Sequence, residues 1–116
     1  MIPKEEDFAQ KIRDAGLAIR RAERMLARAE ADEKREMSSQ MLNAQNKEGL
    51  KSAAAQTVWA DNTDEMYQAR LRRGVAKGGL AAAKANLVAA ETAVRVWQTK
   101  MSMQKLEART YGYGGK

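Results

Sequence analysis

The stretch Leu80-Ala81-Ala82-Ala83-Lys84-Ala85-Asn86-Leu87-Val88-Ala89-Ala90-Glu91-Thr92-Ala93-Val94-Arg95-Val96-Trp97 contains neither proline nor glycine and is dominated by alanine, the strongest helix former. Ala76, Ala83, Ala90 and Trp97 recur every seven residues, and Leu80, Leu87, Val94 and Met101 recur with the same period, offset by four. This is the spacing of a helix that buries a narrow seam against another helix. Working outward, Thr63 to Arg109 is free of proline, which predicts one long helix over about 64–109. If continuous, it would be roughly 70 Å long at 1.5 Å per residue. A chain of 116 residues is too small to wrap such a rod alone. The seam Leu80, Ala83, Leu87, Ala90, Val94, Trp97 and Met101 therefore predicts a partner helix and a homo-oligomer. Gly74 and the pair Gly78-Gly79 interrupt the alanine pattern. They fit either close approach of two backbones on a continuous or gently kinked helix, the reading favoured here, or a break into helices 64–77 and 80–109.

A second helix is predicted over about 4–45. Pro3 suits a first helical turn, where its missing N–H is not needed. Glu5, Glu6 and Asp7 follow at the positive end of the helix dipole. Phe8, Ile12, Ala15, Ile19, Ala22, Leu26 and Ala29 then alternate at spacings of four and three, another heptad seam. Glu33 and Glu36 are expected to break that register, with Met37, Met41 and Ala44 resuming it on a shifted face. Asn46-Lys47-Glu48-Gly49 reads as a loop. A short helix over about 50–60 would lay Trp59 against the bundle, and Asn62 or Thr63 would cap the long helix that follows. Residues 110–116, with Gly112, Gly114 and Gly115, are expected to form a flexible tail.

The predicted fold class is accordingly all-α: long antiparallel helices in a helical hairpin or coiled-coil-like bundle, one helical domain over 1–109, assembled as a homo-oligomer. Composition agrees with it. Charged residues make up 31% and aromatic residues only 5%, so a thick globular core is not expected. No stretch of about eighteen apolar residues is present, so no membrane span and no membrane partner is predicted, and the charged N-terminus leaves no room for a signal-peptide core. A cytoplasmic protein is expected, in a bacterial host if the chain is phage-encoded.

Cysteine and histidine are both absent, which removes thiolate chemistry, disulfides and the usual Cys/His zinc sites. Glu91 stands nearly alone on a basic helix with no base or metal ligand near it in sequence, and Ser38-Ser39 has no evident activating partner. No enzyme, metal or cofactor is predicted.

Charge is distributed unevenly. Residues 1–65 carry 11 Lys and Arg against 13 Asp and Glu, whereas residues 66–116 carry 10 against 2. A basic helix attached to a nearly balanced one points to a polyanion. Arg70, Arg73, Lys77 and Lys84 fall at spacings of three, four and seven, with Arg72 beside them and no acid between 70 and 84. Such a row can track a sugar-phosphate backbone, with binding that weakens steeply in salt. Arg13, Arg20, Arg21, Arg24 and Arg28 form a comparable row, but Glu23 and Glu30 lie among them, so that row reads as a solvated face. Tyr67 adjoins the basic row and could stack on an unpaired base, as could Tyr111 and Tyr113; Trp97 belongs to the seam.

The first helical region runs through Glu33-Lys34-Arg35-Glu36-Met37. A short acidic turn precedes Met66-Tyr67, and the long helix carries Val94-Arg95-Val96-Trp97 before Lys105-Leu106-Glu107-Ala108-Arg109 and a Gly-Lys end. In length, helix order and these side chains the chain resembles the UvsY-type recombination mediators of tailed phages and related small helical proteins encoded with phage recombination genes. The resemblance implies a homo-oligomer that binds single-stranded DNA and helps load a RecA-like recombinase onto strands covered by single-strand-binding protein. It also implies a DNA contact at Lys34 and Arg35. Where those mediators continue with more Lys and Arg, this chain has Ser38, Ser39 and Gln40, which shifts the expected contact to Arg70, Arg72, Arg73, Lys77 and Lys84. Two other functions stay open on the sequence: a small phage or bacterial inhibitor or adaptor that binds a protein, and a structural coiled-coil assembly protein.

Overall fold

A computed structural model describes residues 5–114 of the chain, with side chains described as far as Thr110. Three helices account for nearly all of the described residues, and no strand occurs among them: α1 (Glu5–Lys47), α2 (Ala53–Asp61) and α3 (Asp64–Gly114). The all-α, hairpin-like fold expected from heptad spacing is the one observed. Among the described residues no helix is long and apolar enough to cross a membrane. Pro3 and Lys4, expected to open α1, lie outside the described residues, as do Gly115, Lys116 and the side chains of Tyr111 and Tyr113.

Local chemistry explains the boundaries. α1 ends at Lys47, and Gly49 takes a positive φ of 70°, a conformation that favours glycine. The Leu50 N–H then donates back to the Ala44 carbonyl at 3.1 Å. α2 starts at Ala53, later than the expected 50, because the Ser52 side chain accepts from the Ala55 N–H at 3.1 Å and caps the helix there. Thr63 plays the same part for α3: its hydroxyl accepts from the Met66 N–H at 3.3 Å and donates to the Ala60 carbonyl at 2.7 Å. The helix that it opens is continuous through Gly74, Gly78 and Gly79. It also passes the expected end at Arg109 and reaches Gly114, so the segment expected as a tail is helical as far as Gly114. Extending an existing helix carries no new nucleation penalty, and no proline stands in the way.

Packing gathers the chain into two units. In the first, made from the described parts of 1–18 and 84–116, Phe8 is buried and Ile12 and Ala15 are half-buried along α1. Leu87, Ala90, Val94 and Trp97 are half-buried along α3. The Phe8 and Trp97 rings meet with centroids 5.3 Å apart and planes tilted by 42°, within the range of a favourable aromatic pair. Met101, the last predicted seam residue, is 36% exposed, and residues 98–110 are exposed throughout.

The second unit, Ile19–Ala83, is a hairpin in which α2 bridges α1 and α3. Ala44, Ala60, Met66 and Ala69 are almost fully buried, and Ala83 is 8% exposed; Leu80 is half-buried. Here the register of α1 differs from expectation. Glu33 and Glu36 do not break the seam; they occupy it. From Ala29 the half-buried and buried positions run Glu33, Glu36-Met37, Gln40-Met41 and Asn43-Ala44: Met37, Met41 and Ala44 are covered as expected, and Glu33, Glu36 and Gln40 keep the alternation of four and three beside them. Polar residues can hold such positions because each is hydrogen-bonded. Gln40, 6% exposed, donates to Glu36 at 2.8 Å and accepts from Asn43 at 3.4 Å. No buried side-chain polar atom among the described residues lacks a partner.

Candidate functional site

Within the second unit, α1 and α3 enclose a groove of about 660 Å³. Its apolar surface comes from Leu26 and Met37 on α1 and Met66 on α3. The absence of a side chain at Gly74 leaves the α3 wall low. Four cations line the groove: Lys34 from α1, and Arg70, Arg73 and Lys77 from successive turns of α3. Residues three and four apart on a helix share a face, which is why 70, 73 and 77 converge while Arg72 points elsewhere. Glu30 and Glu33 face the cations across the groove.

Glu33 is the centre of this arrangement. Its carboxylate takes Arg73 Nη1 at 2.7 Å on one oxygen and 2.9 Å on the other. Arg70 Nε stands 3.8 Å from the same carboxylate, and Arg70 Nη2 donates to Asp61 at the end of α2. Glu33 is only 16% exposed, against 41% for Arg70 and 46% for Arg73. The acid is thus half-enclosed, while the guanidinium groups keep much of their surface in solvent.

The structure therefore corrects one sequence reading. No acid lies between 70 and 84 in the chain, but the folded row is not free of acids, because Glu33 and Asp61 reach Arg70 and Arg73 from other helices. Among the described residues, Arg72, Lys77 and Lys84 make no ion pair and are exposed. Lys34 joins the groove; Arg35 is exposed and does not line it. Tyr67 is 61% exposed beside the groove-lining Met66. Lys84 belongs to the other unit, so the structure brings together Lys34, Arg70, Arg73 and Lys77 and leaves Arg35, Tyr67, Arg72 and Lys84 outside the groove. Glu33 and Asp61 were missed. For Glu33 a signal existed: it falls four residues after Ala29, in step with the seam.

Compared with known proteins, the chain matches no family model, no curated protein and no solved structure.

Proposed function

We propose that the protein binds single-stranded DNA in the groove between α1 and α3 of the second unit. One observation carries this reading: Lys34, Arg70, Arg73 and Lys77, distant in sequence or spread over two turns, converge on one open groove against two facing acids. The net positive charge suits a phosphate chain, and Tyr67, next in sequence to the groove-lining Met66 and 61% exposed, is the aromatic residue this reading assigns to base stacking. The resemblance to UvsY-type mediators supplies the rest of the proposal: a homo-oligomer in the bacterial cytoplasm that helps load a RecA-like recombinase onto strands coated by single-strand-binding protein. Repetition of the groove in an assembly would add weak contacts through multivalency.

The test is fluorescence anisotropy of a labelled poly-dT oligonucleotide at low and moderate salt. Lys77→Glu and Lys34→Glu are the informative variants, since both residues line the groove and neither holds an ion pair. Salt-sensitive binding that each reversal weakens supports the proposal; absence of binding at low salt rejects it.

A second reading has its own observation. Val88, Val96, Met103 and Leu106 lie on one side of α3 and are 50–64% exposed. An uncovered apolar strip of this kind favours a protein-binding adaptor or an assembly part. Such a protein would be indifferent to DNA, which the same titration reads.

A further inference from the structure

We propose that Glu33 is an internal counter-anion: it holds the groove's arginines in the free protein and yields them to the phosphates of a multivalent strand. The inference rests on the single-stranded DNA reading and adds how the groove selects its ligand.

Glu33 occupies a seam position of α1 where Ala22, Leu26 and Ala29 precede it. A carboxylate at 16% exposure needs compensation for lost hydration. It receives this from Arg73, with both oxygens close to one Nη1, and from Arg70 at longer range. A guanidinium has five N–H donors, and these contacts use few of them. Both arginines line the groove and are over 40% exposed, so a ligand in the groove can reach donors that Glu33 leaves unused. A phosphodiester presents the same unit charge on two oxygens, the geometry that arginine pairs with most strongly. It therefore competes for the same donors.

The competition sets the ligand class. An intramolecular carboxylate acts at an effective concentration in about the millimolar range or above. A single dissolved phosphate ion at lower concentration does not displace it. A strand that also engages Lys34 and Lys77, which have no ion pair to give up, gains enough additional contacts to do so. The groove is thereby tuned to phosphate chains and against isolated phosphates.

The test uses the full chain and a labelled poly-dT oligonucleotide, with Glu33→Gln as the central variant. Glutamine keeps the shape and one acceptor but removes the charge. The expected result is binding about tenfold tighter than wild type at equal salt, one charge-assisted contact's worth, with a salt slope steeper by about 0.7 per added phosphate contact. Inorganic phosphate, added at constant ionic strength, should compete in the variant at concentrations that leave wild type unaffected. Asp61→Asn, which frees Arg70 alone from the solvent side, is expected to tighten binding about threefold; it carries the test if Glu33→Gln does not fold by circular dichroism. Wild-type binding with no gain in either folded variant overturns the counter-anion role and leaves the DNA reading standing. Failure of wild type and variants alike to bind poly-dT at low salt overturns both.

Discussion

Glu33 and Arg73, forty positions apart in the chain, share a contact of 2.7 Å between α1 and α3. Each sits on the seam-facing side of its helix, where the neighbouring positions are Ala29 and Ala76. An ion pair that joins two helices across a partly polar seam fixes their register, since any slip leaves a half-buried charge alone. A double-mutant cycle with Glu33→Ala and Arg73→Ala, followed by urea unfolding, is expected to return a coupling of about 1 kcal/mol. A coupling near zero would remove the pair as a register device.

The glycines of α3 allow a different measurement. A Cβ added at Gly74, Gly78 or Gly79 meets nothing within 4 Å, and all three lie in unbroken helix. Gly78→Ala and Gly79→Ala are each expected to stabilise the protein by about 0.5–1 kcal/mol, the ordinary helix preference for alanine. Urea midpoints measure this. A destabilisation would mean that these positions are packed in solution by something outside the chain.

Phe8→Ala removes a ring that is 9% exposed and packed at a tilt against Trp97. The expected loss is about 3 kcal/mol, at the low end for a buried aromatic because Trp97 is only half-buried and can settle. Trp97 emission in a Trp59→Phe background follows the transition directly.

Capping is tested at Thr63. Its hydroxyl serves one donor and one acceptor at the α2–α3 corner, so Thr63→Ala is expected to cost about 1 kcal/mol and Thr63→Ser much less. Equal losses from both would assign the effect to the threonine methyl.

The features legible in the sequence were those written in local apolar periodicity. The run Ala76, Leu80, Ala83, Leu87, Ala90, Val94 and Trp97 is half-buried or buried throughout, and Phe8 to Ala29 behaves likewise, because a seam announces itself in spacing alone. Glu33 and Glu36 keep the same spacing although their polarity reads as a break, since the signal relies on hydrophobicity and their partners lie elsewhere in the chain or in hydrogen bonds that spacing does not report. The groove was half legible for a related reason. The helical stripe placed Arg70, Arg73 and Lys77 on one face, but nothing local in 70–84 could show that Glu33 and Asp61 come to meet it. Ser52 is not legible as a cap in the sequence, because a single serine after a glycine loop is a weak signal until its N–H partner is seen.

Residues 98–110 of α3 are exposed on every side among the described residues. No neighbour there dictates a side chain's volume or the number of turns, and the hydroxyls of Thr99 and Thr110 bond to the helix's own carbonyls at 3.0 Å. Among the described residues, helix propensity is then the main internal constraint on this stretch, and it is a loose one. Substitutions that keep it helical are close to neutral for folding. Any position there that does not tolerate change must answer to a contact made by another molecule, so a mutational scan of these residues reads partnership without interference from stability.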